Sequence, residues 1–213
     1  MKWTAEQCSC LVEALAFAAF VGWYIWRLQA DEPWTSWVLL LWLVGSYFLR
    51  KDTPKTIGWR ADNLWPATVQ AAKFFGAGFL AIFATGACLG MLHRAAYHVI
   101  EPRRLASYLA FCLLQQVALN SLVMNRLLTA FGGKIGPAAL VAGLVFSALH
   151  WPNPVLVPIT LVGGAGMAWL FGKQRNIVPL AVGQMVLGSV IWWAFPLVWH
   201  HSMRVGPAYW NYR

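Results

Sequence analysis

Apolar runs long enough to cross a lipid bilayer follow one another along almost the whole chain, and this restricts the fold more than any motif does. A hydrocarbon core about 30 Å thick takes about 20 apolar residues of helix. With no water at that depth, each backbone N–H and C=O must be satisfied within its own segment, so the spans are helical. Runs at about 8–28, 34–50, 66–92, 105–130, 138–150, 154–171 and 177–199 predict some seven spans. Hydrophobic residues are 60% of the 213, charged residues 11%, and the mean hydropathy is +0.57. A water-soluble domain carries charge on about a quarter of its positions, so lipid is the solvent for most of this surface. The expected fold class is all-α, a polytopic transmembrane helical bundle of about seven spans forming a single integral membrane domain over 1–213.

The formal charge of +9 does not point to nucleic acid, because the basic residues sit in short loops between apolar runs, where they act as topology signals and headgroup anchors. With the N-terminus cytoplasmic, Lys2, Arg50, Lys51, Lys55, Arg60, Lys73, Arg126, Lys134, Lys173 and Arg175 fall on the inner side. Arg27, Arg94, Arg103, Arg104, Arg204 and Arg213 fall on the outer side, so ten of the 16 are inside. The basic loop around Arg103 runs against this orientation. The N-terminal run lacks a small-residue cleavage site and ends in Trp23, Tyr24 and Trp26, so it reads as a retained first span of a protein of the bacterial inner membrane. The expected partners are other integral membrane proteins and lipids. Cys8, Cys10, Cys88 and Cys112 show no metal-ligand spacing and read as buried free thiols.

Span 5 is too short to cross as a helix and ends in His150-Trp-Pro-Asn-Pro154, where two prolines remove donors. Apolar sequence resumes at once, which puts a break at membrane depth that protein or water must shield. The segment from Lys51 to Trp65 reads as a loop with a short surface helix, Gly86 and Gly90 as a helix-packing pair, and the tail from His200 as lying on headgroups.

Polar residues inside the apolar runs need a partner or a wet cavity. They are Glu13, Gln115, Gln116, Asn120, His150, Asn153 and Gln184. On a helix Gln116 and Asn120 lie one turn apart, as do Phe146 and His150, so each pair faces one way, whereas Gln115 points about 100° from Gln116 toward a different neighbour. As plain structure, these amides cross-link helices. As function, they line a binding cavity made of Gln115, Gln116, Asn120, Phe146, His150, Asn153 and Gln184. Glu13 reads equally as a neutral acid in the bundle and as the partner of a basic residue on an adjoining protein. Ser147, three residues before His150, is a coincidence of helix spacing. His93, His98, His200 and His201 fall near one membrane face, a poor metal or pigment ligand set because of the spacing of five.

Gln115-Gln116-xxx-Asn120, Phe146-xxx-His150 and Gln184-xxx-Gly188 resemble, in order and spacing, three motif blocks of the CAAX-protease and bacteriocin-processing (CPBP, or Abi) family of intramembrane endopeptidases, over roughly residues 100–195. The resemblance implies a glutamate pair and an arginine at 115, 116 and 120, a phenylalanine and a histidine at 146 and 150, and a histidine and an asparagine at 184 and 188. Phe146 and His150 match. The departures fall on the chemistry, since a glutamine amide is no general base near neutral pH. Loss of a positioned base lowers rates by about 10²–10⁴, and loss of an oxyanion donor at Gly188 by roughly a further 10²–10³.

The reading is therefore a family member without protease activity and without an assigned catalytic residue, serving as a structural or assembly subunit of a membrane complex. No metal and no cofactor is expected. The rivals are an endopeptidase of altered mechanism that uses His150 with Gln115, Gln116, Asn120 and Gln184, and a lipid, quinone or pigment site in the same cavity.

Overall fold

The computed structural model describes residues 3–89 and 102–211, and every regular element among them is helical. They are α1 (Ala5–Trp23), α2 (Ser36–Leu49), α3 (Pro54–Ile57), α4 (Leu64–Cys88), α5 (Pro102–Gln116), α6 (Asn125–Ala130), α7 (Ile135–Ala148), α8 (Leu156–Gln174), α9 (Val178–Ala194), α10 (Leu197–His200) and α11 (Pro207–Trp210). Thr4 and Gln7 start α1 with reciprocal side-chain caps, the Gln7 N–H donating to Thr4 Oγ1 at 3.2 Å and the Thr4 N–H to Gln7 Oε1 at 2.9 Å. Such a capping box satisfies two otherwise orphaned helix donors. A π-helical stretch, Val117–Met124, joins α5 to α6 as one rod.

Four stretches are long and apolar enough to cross a membrane: Ala5–Leu28, Leu64–Cys88, Arg103–Ala130 and Leu156–Gln174. The other three expected spans are apolar but shorter, at Pro33–Leu49, Ile135–Ala148 and Val178–Ala194. Fourteen residues, the length of both α2 and α7, make a rod of about 21 Å. The last span stops at Ala194 rather than 199 because Phe195, which precedes Pro196, is extended at φ −111° and ψ 148°, as the proline ring requires of its neighbour.

Contacts define two ends of the bundle. Trp3 meets Phe131 edge-on at 6.0 Å at the end carrying the N-terminus. At the other end the Gly206 N–H donates to the Trp151 carbonyl at 2.9 Å, and Gly206 packs on Ile25. Exposed tryptophans mark both, Trp59 and Trp65 at the first, Trp26, Trp34, Trp37 and Trp151 at the second, as an interfacial belt would. Leu122, Met124, Leu127, Phe171 and Ile177 are fully buried at the centre. The α7–α8 pair packs closely because Gly143 has no side chain: a Cβ there would lie 2.7 Å from that of Ala165. The α4–α9 pair does the same at Gly183, which lies under the ring of Phe75. Of the expected packing pair, Gly86 is buried in α4 and Gly90 lies outside the described residues. Cys10 and Cys112 are buried thiols, but Cys8 and Cys88 are exposed, because they point from their helices toward the apolar outer surface.

The break after α7 is present, with a cis peptide at Trp151–Pro152. Its shield is the C-terminal tail. Asn153 is fully buried and donates from Nδ2 to the carbonyls of His200 (2.8 Å) and Arg204 (3.0 Å), while its Oδ1 accepts from the N–H groups of Val155 and Leu156 at 3.1 and 3.0 Å. One side chain thus caps the start of α8 and holds down the tail expected on headgroups.

A layer of charge centred on the buried Arg126 ties α1, α2 and α6 together. Arg126, 4% exposed, donates from Nη2 to Asp52 at 2.6 Å and to Ser46 Oγ at 2.7 Å, and from Nε to Glu13 at 3.2 Å. Arg50 reaches the other Glu13 oxygen at 2.8 Å, and Ser46 donates to Glu13. Glu13 is therefore neither alone in the bundle nor left for an adjoining protein; its cations come from this chain. The segment after Lys51 carries the expected short surface helix, α3, and is also tied to the bundle. Ser121 donates to the Ile57 carbonyl, Asn125 to Thr56 at 2.8 Å, and the Ile177 N–H to Gly58 at 3.1 Å. Gly58, at φ 87°, makes the turn and lies under Phe171 and Ile177. Removing one partner from a buried ion pair leaves an uncompensated charge, at about 3–5 kcal/mol. Arg126→Met is expected to lower unfolding stability in mild detergent by about that much, and Arg50→Met, at the more open end, by clearly less; equal losses in a denaturant titration would contradict the central placement of Arg126.

Candidate functional site

The α5–α6 rod packs against α9, and this contact brings the amides together. Asn120 Nδ2 donates to Gln116 Oε1 at 2.5 Å, Gln116 Nε2 donates to Gln184 Oε1 at 2.6 Å and also lies 3.0 Å from Met167 Sδ, and Gln184 Nε2 donates to Gln115 Oε1. Gln115 and Gln116, expected to meet different neighbours, grip the same one: α9 runs over the ridge between them and both side chains reach its single amide. Gln116 and Asn120 are fully buried, and Asn120 Oδ1 has no hydrogen-bond partner among the described residues.

Beside this chain of amides lies a cavity of about 110 Å³, with Tyr108, Gln115, Phe146, His150, Gln184 and Gly188 in its wall. Gln116 and Asn120 stand behind Gln184 rather than in the wall, and Asn153 is held at the break below α8. The tail contributes Met203 to the lining. A water takes about 30 Å³ of liquid, so the space suits a few waters or one small polar group.

His150 Nδ1 is 2.6 Å from the Phe146 carbonyl. A carbonyl only accepts, so Nδ1 carries a proton, and in the neutral imidazole Nε2 is then the acceptor. The imidazole stands edge-on to the Phe146 ring, with centroids 4.6 Å apart. Ser147 Oγ donates to the Val157 carbonyl at 2.7 Å and so is committed away from His150. Tyr108 is the residue that sequence reasoning missed. A Cβ on Gly188 would lie 2.0 Å from the Tyr108 hydroxyl, so the phenol fills the space that a side chain at 188 would occupy. The sequence does carry a signal for it, since Tyr108 lies seven residues before Gln115 and therefore on the same helical face.

The described wall offers a phenol, the Thr160 hydroxyl, two amides and an imidazole, and no carboxylate. These groups can bind and orient a polar ligand, but none of the amides can take a proton from water near neutral pH. Among the described residues no three of His, Cys, Asp or Glu are placed to hold a metal ion. His93 and His98 lie outside those residues, His200 Nε2 is 3.2 Å from the Phe195 carbonyl, and His201 stacks on Tyr209 at 4.1 Å.

Two substitutions measure how the site is held. Gly188→Ala is expected to destabilise by about 1–3 kcal/mol through overpacking, and Tyr108→Phe in the same chain to return part of that loss. Gln184→Leu breaks two inter-helix amide bonds and is expected to lower stability by about 1–3 kcal/mol, at roughly 0.6–1.7 kcal/mol for each such bond in membranes. Unfolding titrations of the single and double variants check both.

Comparison of the chain with protein-family models, with curated proteins and with solved structures found no match.

Proposed function

We propose that this chain is a non-hydrolytic membrane subunit, built on a frame like that of the CPBP endopeptidases, that serves as a structural or assembly component of a larger membrane complex. The observation that carries this reading is the grip of Gln115 and Gln116 on Gln184. These are the positions at which the endopeptidase pattern implies a glutamate, its neighbour and a histidine, and here they are neutral amides spent on one another. Tyr108 supports the same reading, because its phenol stands where the pattern's asparagine would project from 188. Partner contact is supported by large aromatic side chains on the outer surface, such as Trp192, Trp193 and Phe83, all more than 40% exposed.

The orientation follows with the N-terminus on the cytoplasmic side of a bacterial inner membrane. Lys51, Lys55, Arg60, Lys134 and Lys173 gather at the N-terminal end, against Arg27, Arg103, Arg104 and Arg204 at the other, and this excess of basic residues in short loops favours the cytoplasm. Arg50 and Arg126 add less to the bias than a residue count gives them, since both are occupied with Glu13. The small cavity leaves room for a second reading, in which Tyr108 and His150 bind the polar end of a quinone, pigment or lipid.

The purified chain is expected to show no peptide hydrolysis above background and to bring a stoichiometric membrane protein with it after gentle solubilisation. Turnover that disappears in His150→Ala would overturn the proposal in favour of an altered endopeptidase, and a co-purifying absorbing molecule in a partner-free preparation would favour the second reading.

A further inference from the structure

On the lipid-facing side of the bundle, α1 and α2, joined by the Glu13–Arg50 pair and by Trp42 against Phe17 and Phe20, leave a groove of about 700 Å³ between them, within the roughly 300–1,000 Å³ of small-molecule sites. Its inner part is apolar, with Ala16, Trp42 and Gly45, and its outer end holds Ser9, Glu13 and Arg50. We infer that this groove binds an acidic phospholipid, its headgroup at Arg50 and Lys51 and one acyl chain against Ala16, Trp42 and Gly45. The site does not depend on the amide-lined cavity or on the function proposed for it.

Three observations choose this occupant. Polarity changes along the groove in the sense of a lipid standing in the leaflet at the N-terminal end: Arg50 ends α2, Lys51 is exposed beyond it, and the apolar wall lies deeper. Among the described residues Lys51 makes no ion pair, whereas Glu13, in the groove wall, and Asp52 are both taken up by arginines. That favours an anionic headgroup over a zwitterionic one. The groove is also short. From Ser9 to Ala16 it follows about 10 Å of helix, whereas a partner's transmembrane helix would run along a seam of about 30 Å. Gly45 deepens the middle, and a Cβ there would meet nothing within 4 Å. A larger side chain at 45 therefore fills the groove without pressing on the bundle.

The test is native mass spectrometry of the full chain in mild detergent, titrated with phosphatidylglycerol or phosphatidylcholine. Phosphatidylglycerol is expected to be retained about fivefold better, the effect of roughly one basic residue at a membrane surface. Gly45→Leu is expected to reduce retention of both lipids with helical content and elution unchanged. Lys51→Asn keeps a residue type that tolerates the local φ of 54° and is expected to abolish the preference while leaving chain binding. Equal retention of the two lipids by the unmodified chain, or undiminished binding by a folded Gly45→Leu, would overturn the inference. Should Gly45→Leu not fold, Lys51→Asn decides alone: an unchanged preference refutes the site, and a lost one supports it.

Discussion

Four opposed charges between α1, α2, α6 and the start of the loop after α2, centred on the buried Arg126, set the terms for the rest of this bundle. An isolated ion at this depth would carry a large desolvation penalty, and even a paired one repays it only when the geometry is good and further hydrogen bonds complete it. Here the completion is thorough. Arg126 is shared by two carboxylates and Ser46, Glu13 by two arginines and the same serine. Since the partners come from residues 13, 46, 50, 52 and 126, the cluster forms only when three separated parts of the chain are already in register. Asp52 carries the constraint into the next segment, where Thr56, Ile57 and Gly58 offer backbone carbonyls to Asn125, Ser121 and Ile177. The loop is held from beneath by polar side chains and from above by Phe171.

The opposite end solves a different problem with different means. Three helices too short to cross alone leave irregular backbone close to the apolar zone, and lipid offers such backbone no partners. After α7 the solution is Asn153, whose amide serves two tail carbonyls and two N–H groups of the α8 start. By holding the tail, the same bonds place Met203 beside the cavity. Shape at the candidate site thus depends on a residue that does not line it.

Much of the architecture was legible in the apolar runs, because the helical requirement in lipid is nearly absolute and run length reports it directly. The interruption at His150–Pro154 and the neighbourly placement of Gln116 and Asn120 were legible for the same local reasons. Helix ends were less so. The apolar run to Trp199 continues through Phe195-Pro196, and composition cannot show that the helix has stopped. Pairings between distant segments were the least legible. Arg126 sits close enough to a loop to read as a topology signal, and nothing local to Glu13 names residues 50 and 126 as its partners. Gln115 and Gln116 diverge on an isolated helix, so their shared hold on Gln184 becomes visible only when α9 is laid against them. The 188 position read as a lost donor; in three dimensions it is space given to Tyr108.

Where the acidic side chains have gone bears on what the cavity can do. The chain has seven. Glu13 and Asp52 are bound to arginines in the charge layer, Asp62 pairs with Arg60 at the surface at 2.5 Å, Glu6 lies in the first turn of α1, and Asp31 and Glu32 lie between α1 and α2. Glu101 falls outside the described residues. None of the other six is in the cavity wall. Bringing Glu13 or Asp52 to it would strip Arg126 of a counter-charge, a penalty of several kcal/mol by the usual scale for broken buried pairs, and larger than any one of the amide bonds that now occupy the site. The same interaction that holds α1 and α2 to the bundle therefore fixes these two carboxylates away from His150, and the described wall of the cavity is left with amides, hydroxyls and one imidazole.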